Sequence, residues 1–396
     1  MMKKGVSEAV RELYRFLTLR VLFPLQYNRY KKRPLIPGKA VFIESQLPGL
    51  SDSLRVLYDR RAEDKKSILS VHCLQESFVS RRTYILRALS CLRDMADAEY
   101  IFLCDASRLV SCISPREETV ITQLWHGCGA FKKFGMSTAE LLFGGTRKQY
   151  EKYPYYGNLD LVTVSGPEVI WAYEEAMDLP AGSGKVRAVG VSRTDVFFDP
   201  VFVKKAAAHV REILKPDDER KILLYAPTFR GNVSEAKAPD ALDIRRLQEE
   251  FGDSVVLLIK HHPVAGNRPR IPKEAEGFAF DVTDTLPIGE LLCAADICIS
   301  DYSSLVFEYS IFERPMIFYA YDLEEYGDWR GFYYDYEELT PGPVVRTAEE
   351  LAKAVREAAQ QPHSREAAAF REKYMSACDG HATERILALV KERRQR

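Results

Sequence analysis

The stretch DICISDYSSLVFEYSIFERPMIFYAYDLEEYGDWRGFYYD, residues 296–335, decides the fold. It begins as an apolar strand, turns at residues 301–304, continues as an apolar helix and then enters a second strand. This order predicts a βαβ unit with a small polar turn at the carboxyl end of its first strand. In open α/β sheets ligands bind at that place, and backbone N–H groups at a helix start attract phosphate. The stretch therefore predicts an anionic ligand, such as a nucleotide or its diphosphate.

The rest of the chain also alternates apolar strands with helical segments, a pattern typical of α/β proteins with parallel sheets. A length of 396 residues suggests two domains of roughly 150–200 residues each. The best boundary is a linker at residues 196–202, which Asp199-Pro200 interrupts. We predict four parts: a basic amphipathic segment at 1–35, an N-terminal Rossmann-like domain at 36–197, a C-terminal domain at 198–375 and a C-terminal helix at 376–396.

Composition narrows the class of protein. The 56 Lys and Arg residues balance 57 Asp and Glu residues, so no basic field favours nucleic acid as a partner. The hydrophobic share of 46% is that of a folded globular protein. Eight scattered cysteines include no CxxC pair, which favours reduced, buried thiols in a cytosolic protein over a disulfide framework or a zinc site.

The N-terminal segment has a different character. Residues 7–23, SEAVRELYRFLTLRVLF, interleave apolar side chains with Arg11, Arg15 and Arg20, and Lys3 and Lys4 precede them. A basic amphipathic helix of this kind lies in anionic membrane interfaces. The alternative is a helix packed on its own domain. No run reaches the ~20 apolar residues of a spanning helix, and we find no signal-peptide cleavage site.

Polar clusters follow the predicted strands of both halves. Because the carboxyl ends of parallel strands share one edge of a sheet, these clusters should converge on a crevice between two facing sheets. They are Trp125-His126-Gly127, Thr228-Phe229-Arg230, His261-His262-Pro263 and the turn at 301–304.

Histidine at a strand end suits acid–base chemistry. His126, beside the flexible Gly127, suits a general base that removes a proton from an acceptor hydroxyl; a structural histidine bonded to a carbonyl is the alternative. A histidine of the 261–262 pair could stabilise charge on a diphosphate, and no third ligand completes a zinc site there.

Other side chains suit phosphate. Ser303 and Ser304 offer hydroxyl and backbone donors, or act only as a helix cap. The guanidinium groups of Arg230 and Arg330 can each donate two parallel hydrogen bonds to a phosphate; the alternative is that each forms a surface ion pair. Lys132 and Lys133 either bind phosphate or form a solvated face. GxGxxG and GxxxxGK[ST] are absent, which argues against NAD-dependent and P-loop chemistry.

Several motifs together resemble the CDP-glycerol glycerophosphotransferase family of bacterial teichoic acid synthesis. They are WHGCGAFKKFG, YAPTFRG, the histidine before Pro263, the whole 296–335 block, PGPVV and CDGHATERI. The resemblance implies a GT-B-like fold, with the CDP-alditol in the C-terminal domain, the acceptor on the N-terminal domain and a last helix that often returns to the first domain. It also implies a peripheral protein on the cytoplasmic face of the membrane.

The resemblance implies a reaction and residue roles. Family members transfer glycerol phosphate or ribitol phosphate to a hydroxyl of an undecaprenyl-diphosphate-linked acceptor and release CMP. It implies that His126 is the base and that His262 contacts the donor phosphates. Cys128 to Phe131 depart from the family's WHGTPLK-like pattern, and His381 stands where another polar residue is usual. The implied substrate-binding residues are Trp125, Gly127, Lys132, Lys133, Thr228, Arg230, Asp301, Ser303, Ser304, Glu308 and Arg330.

We therefore expect a primase that adds one unit from CDP-glycerol. The alternatives are a glycerol- or ribitol-phosphate polymerase, a GT-B glycosyltransferase that uses a UDP-sugar, and a non-catalytic membrane scaffold. The expected partners are CDP-glycerol, the undecaprenyl-linked acceptor and an anionic membrane surface. We assign no cofactor and no metal ligand; metal dependence and homo-oligomer formation stay open.

Overall fold

The computed structural model describes residues 2–214, 218–231 and 236–395, with side chains from residue 9 onward. Lys3 and Lys4, which we placed ahead of the amphipathic helix, lie outside the described side chains. Within the described ranges, no helix is both long enough and apolar enough to cross a membrane.

The first half of the chain forms a six-stranded parallel sheet. Its strands are β1 (Ile36–Glu44), β2 (Ile68–Cys73), β3 (Ala98–Leu103), β4 (Val120–Gln123), β5 (Leu161–Thr163) and β6 (Val186–Arg187). Their order is β2-β1-β3-β4-β5-β6, so the direction of winding reverses between β1 and β3. Strand β1 is buried continuously from Ala40 to Ile43, as expected where helices cover both faces of a parallel sheet.

Helices cover this sheet, and the N-terminal ones form one continuous rod. They are α1 (Met2–Phe16), a π-helix (Leu17–Leu22), α2 (Phe23–Tyr30), α3 (Asp52–Ala62), α4 (Arg81–Met95), α5 (Arg108–Ser111), α6 (Arg147–Lys152) and α7 (Ile170–Ala176). Leu19, Phe23 and Tyr27 are buried in the same core cluster as Cys91 and Leu92 of α4. Short 3₁₀ helices lie at Gly135–Thr138, Pro167–Val169 and Ser192–Phe198.

The second half forms another six-stranded parallel sheet. Its strands are β7 (Lys221–Tyr225), β8 (Val255–Ile259), β9 (Ala279–Asp281), β10 (Ile297–Ser300), β11 (Met316–Tyr319) and β12 (Val344–Val345). The order β12-β11-β10-β7-β8-β9 reverses between β7 and β10. The predicted α/β, GT-B-like architecture of two Rossmann-like domains with parallel sheets is thereby confirmed.

The helices of the second half begin at the predicted linker. Residues 196–202 form the end of a 3₁₀ helix and the start of α8, whose first turn is capped by Asp199. The helices are α8 (Pro200–Arg211), α9 (Ile244–Phe251), α10 (Ile288–Ala294), α11 (Leu305–Tyr309), α12 (Leu323–Arg330), α13 (Tyr336–Leu339), α14 (Ala348–Ala358), α15 (Arg365–Tyr374) and α16 (Ala382–Gln395), with 3₁₀ turns at Lys273–Ala275 and Ser310–Phe312.

Backbone hydrogen bonds join the two halves at one edge of the sheets. The N–H of Lys133 donates to the carbonyl of Gly331 at 3.0 Å, and the N–H of Tyr333 donates to the carbonyl of Phe131 at 3.2 Å. The segments around Lys132 and Phe332 therefore run antiparallel across the interface. This pairing places the loop after β4 directly against the loop after α12.

Helix α16 returns to the first sheet. Its Ile386 and Val390 are buried with Ala40 and Phe42 of β1. The carboxylate of Asp195 accepts hydrogen bonds from the first two N–H groups of α16, those of Ala382 at 2.9 Å and Thr383 at 2.7 Å. The cap satisfies donors that the helix itself leaves free.

Candidate active site

The carboxyl ends of the two sheets face each other across a cleft. A side chain on Gly127, after β4, would come within 3.2 Å of the Ser304 hydroxyl, after β10. Strand β10 borders the point at which the second sheet reverses its winding, and ligands bind there in open α/β sheets. The structure thus brings the WHG segment and the DYSS turn to one place, as the strand-end rule predicts.

Asp301 anchors the loops of the second domain. Its side chain is 2% exposed and accepts hydrogen bonds from the N–H of Thr228 at 2.8 Å and of Tyr302 at 2.6 Å. The Arg230 guanidinium donates to the same carboxylate at 3.0 Å. Asp301 therefore fixes the loop after β7 to the loop after β10, and its oxygens are engaged by protein donors.

Arg230 is committed to protein carboxylates. It donates two hydrogen bonds to Asp322, at 2.6 and 2.9 Å, besides its bond to Asp301. Its guanidinium also lies over the Tyr302 ring, 5.1 Å from the centroid. Burial by itself would lower the Arg230 pKa. The charge of Asp301 and the hydrogen bond to Asp322 have a larger combined effect and raise that pKa above its ordinary value. These contacts fix the loop after β7, and the predicted phosphate contact of Arg230 stays a prediction.

The Ser303-Ser304 turn opens toward the cleft. The Ser303 hydroxyl accepts a hydrogen bond from the N–H of Leu305 at 3.4 Å, and among the described residues the Ser304 hydroxyl has no hydrogen-bond partner. Both residues are partly exposed. Two hydroxyls at the reversal point of the sheet are suitable donors to an anion.

His126 is oriented by Asp105. Its Nδ1 lies 2.7 Å from Asp105 Oδ1 and 3.1 Å from the Cys104 carbonyl oxygen. Both neighbours are acceptors, so Nδ1 carries the proton and Nε2 is left to accept one. The side chain is 52% exposed, and the Trp125 ring stacks on it with centroids 4.2 Å apart. The geometry suits a general base that reaches into the cleft.

Our sequence analysis missed Asp105. It follows strand β3 at the carboxyl edge of the first sheet, so the rule that selected His126 could have selected it as well. Its neighbours form a network behind the histidine: the Cys104 thiol donates to Glu44 at 3.2 Å, and Glu44 accepts hydrogen bonds from the N–H groups of Gln46 and Ser51. Glu44 thus holds the loop after β1.

Arg193 is a second residue that sequence reasoning missed. Its Nε donates to Glu308 in helix α11, and its Nη1 donates to the carbonyl oxygen of His126 at 2.7 Å. Glu308 is 4% exposed. The structure pairs Glu308 with Arg193 across the domain interface, and its predicted contact with the substrate stays a prediction.

Lys132 and Arg330 form a cationic cluster at the domain interface, where the Arg330 Nε donates a hydrogen bond to the Lys133 carbonyl at 3.1 Å. The charges of Lys132 and His126 also act on His262. Among the described residues, Lys132, Lys133 and Arg330 have no carboxylate within ion-pair distance. Burial, followed by the charges of Arg330 and Arg230, lowers the Lys132 pKa to about 7. The Arg330 guanidinium lies over Phe143 at 3.4 Å, and burial lowers its pKa as well. Partly buried cations without a carboxylate at ion-pair distance favour an anionic ligand.

His262 is neutral and presents a donor. Its side chain is open to the cleft, but the surrounding protein, together with the charges of Lys132 and His126, lowers its pKa to about 4. Its Nδ1 accepts a hydrogen bond from the N–H of Val264 at 3.3 Å. The remaining proton is therefore on Nε2, which can donate to an oxyanion.

Comparison with known proteins gives a consistent result. The sequence profile described as CDP-Glycerol:Poly(glycerophosphate) glycerophosphotransferase matches residues 25–392. A teichoic acid ribitol-phosphate primase of Bacillus spizizenii is 29% identical over 395 residues, which cover 98% of both chains. A teichoic acid poly(ribitol-phosphate) polymerase of that organism is 31% identical over 371 residues, 92% of this chain but 58% of the polymerase.

A solved structure has the same fold. The structure of the wall teichoic acid polymerase TagF superposes with a TM-score of 0.75 at 23% identity, over 100% of this chain and 98% of that one.

The Lys132 pKa gives a first prediction. Because that pKa is about 7 in the free protein, most Lys132 side chains are neutral at pH 8, and a bound anion favours the charged form. Binding of inorganic diphosphate at pH 8 should take up a proton, and affinity should fall as the pH rises above 7. Calorimetry in two buffers of different ionisation enthalpy measures the uptake.

Lys132→Met should abolish this uptake, whereas Lys133→Met, which removes a neighbouring charge, should retain it. Equal proton uptake by the wild type and Lys132→Met would contradict the prediction.

Proposed function

Since the chain belongs to the CDP-glycerol:poly(glycerophosphate) glycerophosphotransferase family, we propose that it transfers glycerol phosphate from CDP-glycerol to a hydroxyl of an undecaprenyl-diphosphate-linked acceptor in wall teichoic acid synthesis. The observation that carries the proposal is that the first-domain loop with His126 and Lys132 pairs with the second-domain segment that follows Arg330. A histidine suited to act as a base and cations suited to bind the donor phosphates support a transfer to a hydroxyl.

In the proposed reaction the acceptor hydroxyl oxygen attacks the phosphorus that bears glycerol. Nε2 of His126 takes the hydroxyl proton as the new P–O bond forms. The bond from that phosphorus to the bridging oxygen breaks, and its electron pair goes to the phosphate of the departing CMP. The Nε2–H of His262, with Arg330 and Lys132, stabilises the negative charge on the phosphates. The hydroxyls of Ser303 and Ser304 hold the diphosphate.

The donor alditol and the number of transferred units form the finer part of the proposal. The description of the family names CDP-glycerol, whereas the names of the two relatives compared above specify ribitol phosphate. CDP-ribitol is therefore the second candidate donor. We propose addition of a single unit, as in the primase that the chain matches over 98% of its length.

A donor assay tests the proposal. The protein is incubated with CDP-glycerol or CDP-ribitol and a soluble lipid-linked disaccharide, and CMP release and product mass are measured. One added unit indicates a primase and a ladder of products a polymerase. His126→Ala should lower turnover by about 100- to 10,000-fold, because the general base is lost, with donor affinity nearly unchanged. Absence of CMP with both donors would refute the transferase, and normal turnover of His126→Ala would refute the mechanism.

Asp105→Asn tests the positioning of His126. An amide that presents its N–H₂ to Nδ1 favours the wrong tautomer, so kcat should fall by about 100-fold or more while KM for the donor stays unchanged. Asp105→Glu should restore part of the rate because it restores an acceptor. Equal kcat for wild type and Asp105→Asn would show that Asp105 does not position the base.

We further propose that the protein lies on the cytoplasmic face of an anionic membrane as a peripheral protein. The outer face of the N-terminal rod supports this proposal: Val10, Leu13, Phe16 and Leu17 are each about half exposed or more, with Arg11 and Arg20 beside them. The opposite face packs into the domain core. Interfacial helices combine apolar and basic residues in this way.

Vesicle sedimentation tests the membrane proposal. Binding to phosphatidylcholine vesicles should require added phosphatidylglycerol, because each basic side chain near the surface contributes about 1 kcal/mol. The double variant Leu13→Asp, Leu17→Asp should lose binding, and the control Val201→Asp, at another exposed apolar residue, should retain it. Full binding by the double variant would rule out this surface as the contact.

A further inference from the structure

A cavity of about 240 Å³ lies between the N-terminal rod and the first domain. One wall is formed by Arg11, Tyr14 and Arg15 of α1, and another by Arg81 and Tyr84 at the start of α4. Arg108, at the start of α5, also lines it. The cavity is separate from the cluster around Lys132, which lies in the interdomain cleft.

The lining of the cavity is strongly cationic. Four arginines line it, and Glu76 is the one carboxylate among its described lining residues. Burial raises the Glu76 pKa, which weakens its ability to neutralise them. Arg15 lies at 3.8 Å from Glu12, an ion pair at the limit of the distance range. An uncompensated group of guanidinium forks is suited to phosphate oxygens.

Among the four arginines, Arg108 gives the clearest indication of a position for a ligand oxygen. Its Nε is buried and has no hydrogen-bond partner among the described residues. Its guanidinium lies over the Tyr155 ring, 4.1 Å from the centroid, and donates to the Tyr155 hydroxyl. A buried donor without an acceptor is costly, so a ligand oxygen at this position would be favourable.

The position of the cavity relates it to both the surface and the reaction. Exposed apolar residues adjoin its lining residues in the chain: Leu13 and Leu17 of the rod adjoin Tyr14 and Thr18, and Phe78, which is 62% exposed, adjoins Val79. Arg108, which lines the cavity, follows Asp105 by three residues, and the Asp105 carboxylate lies 2.7 Å from Nδ1 of His126. The charge of Asp105 also acts on Glu76. The lining residues are therefore neighbours in the chain both of exposed apolar residues and of Asp105.

We infer that this cavity binds the diphosphate of a lipid-linked acceptor, with the hydrocarbon chain on the exposed apolar face and the saccharide directed toward His126. This inference rests on the proposed function, which gives the chemical class of the acceptor. The cavity gives the position at which the diphosphate of that acceptor binds. A diphosphate offers several oxygens to guanidinium forks approaching from different elements, which a single carboxylate cannot do. Arginines from α1, α4 and α5 are arranged for such an ion.

Two adjacent arginines provide a matched pair of variants. Both side chains are exposed, but Arg81 lines the cavity and lies over the Tyr14 ring at 5.2 Å, whereas Arg82 does not line it. Arg81→Gln and Arg82→Gln remove the same charge from the same helical turn. Any general loss of attraction to anions or membranes should therefore affect both equally.

Calorimetry with farnesyl diphosphate tests the site on the full chain, with excess CDP present to occupy the donor site. Arg81→Gln should weaken binding by roughly tenfold, the loss of one charge-assisted hydrogen bond, and Arg82→Gln should change it less than twofold. Inorganic diphosphate should compete, and farnesol should bind far more weakly. Equal affinities for the two variants, or equal binding of farnesol and farnesyl diphosphate, would overturn the inference.

Kinetics separate this inference from the proposed function. In the donor assay, Arg81→Gln should raise KM for the diphosphate-linked acceptor roughly tenfold and leave KM for the donor unchanged. If wild type releases CMP but both variants share the same acceptor KM, the cavity is not the acceptor site. If wild type releases no CMP while the calorimetric difference holds, the proposed function fails and the diphosphate site stands.

Discussion

The ion pair between Arg193 and Glu308 is the interaction on which the rest of the cleft depends. It joins the first domain to helix α11 of the second, and Glu308 is almost completely buried. Loss of either partner would leave a buried charge without compensation, which costs far more than the pair contributes. Because Arg193 also holds the carbonyl of His126, the same interaction sets the position of the base. The ion pair thereby fixes the position of His126 relative to Ser304, because Ser304 lies at the start of helix α11, which contains Glu308.

Two groups of cations in this protein have opposite roles, and their partners distinguish them. Arg193 and Arg230 donate to carboxylates that are buried or partly buried, so they fix loops. Lys132 and Arg330 lie in the cleft without a carboxylate at ion-pair distance among the described residues, and burial lowers the pKa of each. A desolvated cation is unfavourable until an anion arrives. Binding of a phosphate ligand in the cleft therefore relieves the unfavourable electrostatic free energy of these cations.

Much of the fold and part of the site could be predicted from the sequence. Alternating apolar segments predicted two parallel sheets, and the strand-end rule predicted that His126 and Ser304 would approach each other. The same rule covers Asp105, which follows β3, but a carboxylate there carries no local sign of its partner His126 after β4. The roles of Arg230 and Glu308 were beyond prediction, because their partners, Asp322 and Arg193, lie 92 and 115 residues away in the chain.

The sequence by itself determined the α/β class, the positions of the polar turns and the amphipathic character of the N-terminal rod, because these follow from local periodicity and from the geometry of parallel strands. Only the tertiary structure decided which face of that rod is buried against α4, and which arginines are neutralised and which remain available. Periodicity acts over a few residues, whereas charge compensation depends on distances of a few ångströms between segments far apart in the chain. Those distances exist only after the two domains have come together.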